Sequence, residues 1–196
     1  MPYKFDFVNE RILYGTTNPS IEMLDLHSGT TLTLDRSLEN YPDALTVSED
    51  GQNYSYTTAA NTQITVKSIK TGREIVPSVH GGFGSRLAFD SSGNFLVEVG
   101  WTDNEVKIYS LQSRNLEEAQ FDVGFSVSGI SRCPNSENIA IGGFDGSIGT
   151  LSLDGKRDFW KASEDPIEYL SCLQDGSIMS VSGDQRVRIW NNSRNF

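Results

Sequence analysis

The chain has 196 residues, with 26 Asp plus Glu against 16 Lys plus Arg, a formal net charge of -10. That excess repels nucleic-acid phosphates and anionic membranes at long range, so generic DNA, RNA or lipid binding is not expected. No apolar run reaches the roughly 18 residues of a spanning helix, no stretch after Met1 has signal-peptide length, and work inside the cell, in cytoplasm or nucleus, is expected.

In chain order the segments are short, alternating and rich in Val, Ile, Thr, Tyr and Phe, with Gly, Asn, Asp and Ser clusters between them. This pattern predicts an all-β chain. The first strand is read at Tyr3 to Val8. An alternating unit at Ile21-Glu22-Met23 then returns as Ile64-Thr65-Val66, Val106-Lys107-Ile108, Ile148-Gly149-Thr150 and Val187-Arg188-Ile189, at spacings of 43, 42, 42 and 39. Such regularity predicts a supersecondary unit of about 40 residues, repeated along the chain.

Three positions before each unit stand Asn18, Asn61, Asp103, Asp145 and Asp184, side chains that stabilise tight turns by bonding nearby amides. Upstream, a strand and turn recur as Leu45 to Gly51, Leu87 to Gly93 and Leu170 to Gly176, each ending on a glycine suited to positive φ. Each unit therefore reads as four antiparallel strands, a to d. A lone sheet of this kind has two apolar faces, and radial stacking buries them, which predicts a β-propeller. The repeats fall near 1–34, 35–77, 78–120, 121–160 and 161–196 of a single domain.

Ser182-Gly183-Asp184-Gln185-Arg186-Val187-Arg188-Ile189-Trp190-Asn191 resembles the closing segment of a WD repeat almost position for position. Gly142 to Ile148 and Asp103 to Ser110 look like weaker copies, and the resemblance covers nearly the whole chain. The signature dipeptide is degraded to Leu24-Asp25, Lys67-Ser68, Tyr109-Ser110, Leu151-Ser152 and Trp190-Asn191, and the usual Gly-His pair is missing. The resemblance implies a network of turn Asp, strand-b Ser, His and strand-c Trp within a blade. Asp184 and Trp190, with Ser180 or Ser182, fit part of it, and His80 with Asp103 would fit the third repeat. It also implies seven blades as the usual ring, against five repeats counted here. Because the chain stops just after strand c of its fifth repeat, an open arc completed by another chain or a larger ring is expected ahead of a small closed propeller.

Material for catalysis is sparse: two His, two Cys and scattered carboxylates. No catalytic residue, metal or cofactor is expected. His27 falls in a turn, and Val79-His80-Gly81-Gly82-Phe83-Gly84 leads into a strand, without the helix and Lys-Ser or Lys-Thr of a phosphate loop. Cys133 and Cys172 end strand a of adjacent repeats and read as buried thiols, since a disulfide needs Cα atoms within about 7 Å, closer than neighbouring blades are expected to come. Glu117-Glu118 and Glu164-Asp165 read as turn charges. Asn53-Tyr54-Ser55 and Asn191-Asn192-Ser193 match the glycosylation pattern, but without a secretory signal such matches are expected by chance.

The b-to-c and d-to-a connections of such blades share one rim, and it collects Tyr41, Phe83, Trp101, Phe125 and Phe144. Two readings compete: these rings tuck back between blades, or they anchor a partner. The leading expectation is a non-enzymatic scaffold that binds other proteins through this rim, with acidic loops favouring basic segments. Its rivals are an enzyme or small-ligand binder using the central opening, which requires convergent polar groups, and pairing of exposed edge strands with another chain.

Overall fold

The computed structural model describes residues 5–59, 61–82, 85–101, 103–112 and 117–191. The first sheet holds β1 (Phe5–Val8), β2 (Arg11–Gly15), β3 (Ile21–Asp25) and β4 (Thr31–Asp35). The second holds β5 (Pro42–Val47), β6 (Asn53–Thr58), β7 (Asn61–Ser68) and β8 (Val79–His80). Next come β9 (Arg86–Phe89), β10 (Phe95–Val99), β11 (Glu105–Ser110) and β12 (Glu117–Asp122). The fourth is β13 (Val127–Arg132), β14 (Asn138–Gly143), β15 (Ser147–Ser152) and β16 (Arg157–Lys161). The fifth has three strands among the described residues: β17 (Ile167–Cys172), β18 (Ile178–Ser182) and β19 (Val187–Trp190). All pairings are antiparallel between chain neighbours, no helix occurs among the described residues, and the sheets form a five-bladed β-propeller arrangement.

The turns form for local reasons. Between strands a and b, Asp50, Asp90 and Asp175 each accept a backbone N–H two residues on and a nearby Ser hydroxyl, which holds the chain in a tight reversal. The next step needs positive φ, supplied by Gly51 (67°), Gly93 (71°) and Gly176 (81°). In the fourth blade Asn135 (54°) stands in, as the side chain best suited to that region after glycine.

The core lies between blades. Leu13, Ile21 and Met23 of the first pack on Val47 and Tyr54 of the second; Ile64 and Val66 pack on Phe89 and Leu96; Val106 and Ile108 on Ile139 and Leu151; Ile148 on Ile167 and Ile178. Burying one such side chain stabilises by about 1.5–3 kcal/mol. Ile21, Ile64, Val106 and Ile148 occupy strand c of successive sheets and are fully buried, as the period predicts. Val187 holds the same place in β19 but is 64% exposed, with no sheet packed on that face among the described residues.

Two expectations fail here. Cys133 and Cys172 are joined by a disulfide, their Cα atoms 4.9 Å apart. Inner strands converge on the axis, and the Ser131 hydroxyl accepts the Cys172 N–H at 3.2 Å, so the adjacent strand ends come close enough to bond. His80 does not enter a network with Asp103; it pairs with Gln63 in the outer strand β8 and is exposed.

Candidate functional site

The rim carrying the b-to-c and d-to-a loops is built on rigid turns. In the fourth blade, Asp145 accepts the Ser147 N–H at 2.9 Å and its hydroxyl at 2.8 Å, and Phe144 donates its N–H to the Ser126 carbonyl at 2.9 Å. Gly146 is required there: its φ is +87°, and a Cβ would lie 2.0 Å from the Ser163 carbonyl. The fifth-blade turn is tied by Asp184, which accepts from the Ser182 hydroxyl at 2.6 Å, the Arg186 N–H at 3.1 Å and the Arg188 guanidinium. Arg188 and Ser182 hold the Asp184 carboxyl well below the usual carboxylate range. Asp103 reverses the third-blade turn through its N–H to the Gly100 carbonyl at 3.3 Å, and in the first the Thr16 hydroxyl donates to the main-chain carbonyl of Asn18. Asn61 lies in β7 beside the second-blade turn.

On these turns Trp101 is 52% exposed, and Tyr41 and Phe144 are exposed as well. Phe125 instead packs edge-on against Phe159 at 5.2 Å, within the core between the third and fourth blades. Phe83 lies outside the described residues. Sequence reasoning missed Arg86, whose guanidinium sits 5.9 Å from the centre of the Phe144 ring. Burial lowers its pKa, the Asp43 charge opposes that shift, and one buried guanidinium nitrogen has no hydrogen-bond partner. The rim therefore combines three exposed rings with a cation behind one of them.

Beneath the rim, the second to fifth blades resolve the same pair of positions, one in strand b and one in strand c, each in its own way. Glu98, 1% exposed, accepts from the Gly82 N–H at 2.7 Å, the Ser85 hydroxyl at 2.7 Å and the Tyr109 hydroxyl at 3.2 Å. In the second blade, Tyr56 and Lys67 converge on the buried Asp35 of the first. Ser180 accepts the Trp190 indole N–H at 3.0 Å. The fourth blade puts Ile141 and Leu151 there and needs no partner. Each pair is either bonded or apolar, the two arrangements that leave no buried polar group stranded.

The central cavity, about 560 Å³, is lined by the inner strands of all five blades. Several of its polar groups brace neighbouring blades. Asp6 accepts the Val47 N–H and the Thr46 hydroxyl, each at 2.9 Å, and Arg132 reaches from the fourth blade to the Val47 carbonyl of the second at 2.9 Å. No group of three or more metal-type ligands occurs among the described residues. No helix long and apolar enough to cross a membrane occurs among them. Fold and site thus define a five-bladed β-propeller with an aromatic loop rim; compared with known proteins, the chain matches no family profile and no curated relative.

Proposed function

We propose that the chain is a WD-repeat-type scaffold that holds protein partners on its loop rim and makes or breaks no bond itself. The observation that carries this reading is the exposure of Tyr41, Trp101 and Phe144 on one rim, each mounted on a hydrogen-bonded turn. Large rings held in place lose little entropy on binding, and such anchors often dominate an interface. The charge of -10 steers basic segments toward it. The bonded Ser180, Asp184 and Trp190 support the WD-type assignment.

The test is a Trp101→Ala, Phe144→Ala double variant. Each anchor is worth about 2 kcal/mol or more, so partner capture, read by quantitative mass spectrometry from native cells, falls while the β-type circular dichroism and melting are kept. A folded double variant that captures the same partners contradicts the assignment.

A further inference from the structure

We propose that Arg86 is the residue through which this rim takes a carboxylate of the bound partner; the proposal rests on the rim reading above and names the chemistry that the rim selects. The strand registers give Arg86 its place in the repeat. Three positions before Val47, Phe89, Arg132 and Cys172 stand Ala44, Arg86, Gly129 and Tyr169, one position of strand a in four successive blades. In the second and fourth blades that position is small. Ala44 is buried with Leu87 and Phe89 of the next blade, and a Cβ on Gly129 would lie 3.9 Å from Leu170. The third blade puts a guanidinium there instead, and such a departure from an otherwise consistent repeat points to function.

That cation also lacks what its counterparts have. The other partly buried Lys and Arg side chains among the described residues each have a carboxylate in salt-bridge reach: Asp35 for Lys67, Glu98 for Lys107, Glu49 for Arg132 and Asp184 for Arg188. Arg86 has the Phe144 ring at 5.9 Å and the field of Asp43, while its Nη1 is covered and bonded to nothing. Withdrawing a guanidinium from water without a counter-ion costs more than one ring face returns. With Nη1 covered, the Nε–Nη2 edge is the one left for a ligand, and two parallel N–H donors on such an edge match a carboxylate.

The surroundings narrow the class further. Trp101 and Phe144 are followed by the exposed Asp103 and Asp145, which repel a polyanion. A single carboxylate on an otherwise neutral or basic segment suits both the cation and the acids around it.

Acetate titration of the full chain tests this, read by the Nε–H NMR signal of Arg86 in isotope-labelled protein and assigned by its absence in Arg86→Met. The signal should shift saturably, at about tenfold lower acetate than that of the exposed Arg73, and sulfate at equal ionic strength should shift it less. N-acetylglycine and the α-amide of N-acetylglutamate present a chain-end and a side-chain carboxylate, and at least one should reproduce the shift. Arg86→Met keeps the stem and removes the charge, so it should melt no lower than wild type, while its capture of the wild-type partners falls about tenfold. A lower melting point would make the cation structural and overturn the proposal, as would a signal that does not saturate, an equal response to sulfate, no response to either amino-acid derivative, or undiminished capture. The titration uses no partner, so its failure leaves protein binding by the rim standing; unchanged capture by a folded Trp101→Ala, Phe144→Ala variant strikes the rim reading itself, whatever the titration shows.

Discussion

Glu98 shows how one side chain can carry a blade. Glu98→Ala removes the carboxylate on which the Gly82 N–H and the Ser85 and Tyr109 hydroxyls converge, strands the Gly82 N–H, and should cost about 3 kcal/mol in urea unfolding. An unchanged midpoint would show that water or rearrangement replaces the carboxylate. At Asp35, burial pushes the carboxyl up, but Lys67 and Ser37 outweigh it and hold it below the ordinary 3.8. A depressed folded pKa contributes stability above the unfolded value and loses it as pH falls through the folded one. Acid unfolding below about pH 4 should therefore be less steep in Asp35→Asn than in wild type. Asp184→Ala should lower the melting temperature; equal melting points would remove the turn-tying role that Ser182 and Arg188 give it. The sequence placed Asp184, Ser180 and Trp190 together because they lie within one repeat. Glu98 was illegible, since nothing local marks a strand glutamate whose partners come from Gly82, Ser85 and Tyr109.

Strands and turns were legible for a different reason: alternation and turn chemistry are local, and they recur at each repeat. The contacts between blades were not. Cys133 and Cys172 are 39 residues apart, and only convergence of β13 and β17 on the axis brings them within bonding reach. Closing a loop of that length should stabilise the fold by about 4 kcal/mol in the chain-entropy account. Non-reducing thiol titration of the denatured chain should find no free thiol, and Cys133→Ser with Cys172→Ser should melt lower; two titratable thiols would contradict the bond. Arg132 is equally non-local: its reach across the third blade to Val47 has no signature in the repeat, where the equivalent positions are Phe7, Val47, Phe89 and Cys172.

Across the molecule, the period gave the number of blades, while the state of its two ends had to be seen in three dimensions. Val187 reads in sequence like Ile21 or Ile64, yet among the described residues no sheet packs on it and it is exposed. The rim divides likewise: Phe125 turns inward onto Phe159, whereas Tyr41, Trp101 and Phe144 face solvent, a distinction set by which loop finds a neighbouring blade to lean on. Partner binding by that rim is tested most directly by hydroxyl-radical footprinting of the protein alone and with its captured partners. Protection should concentrate at Tyr41, Trp101 and Phe144 and leave Leu26 and Ile75, exposed at the opposite end, as reactive as before. Protection at Leu26 and Ile75, or along the cavity at Leu45 and Ile130, with the three rim rings unchanged, would contradict it.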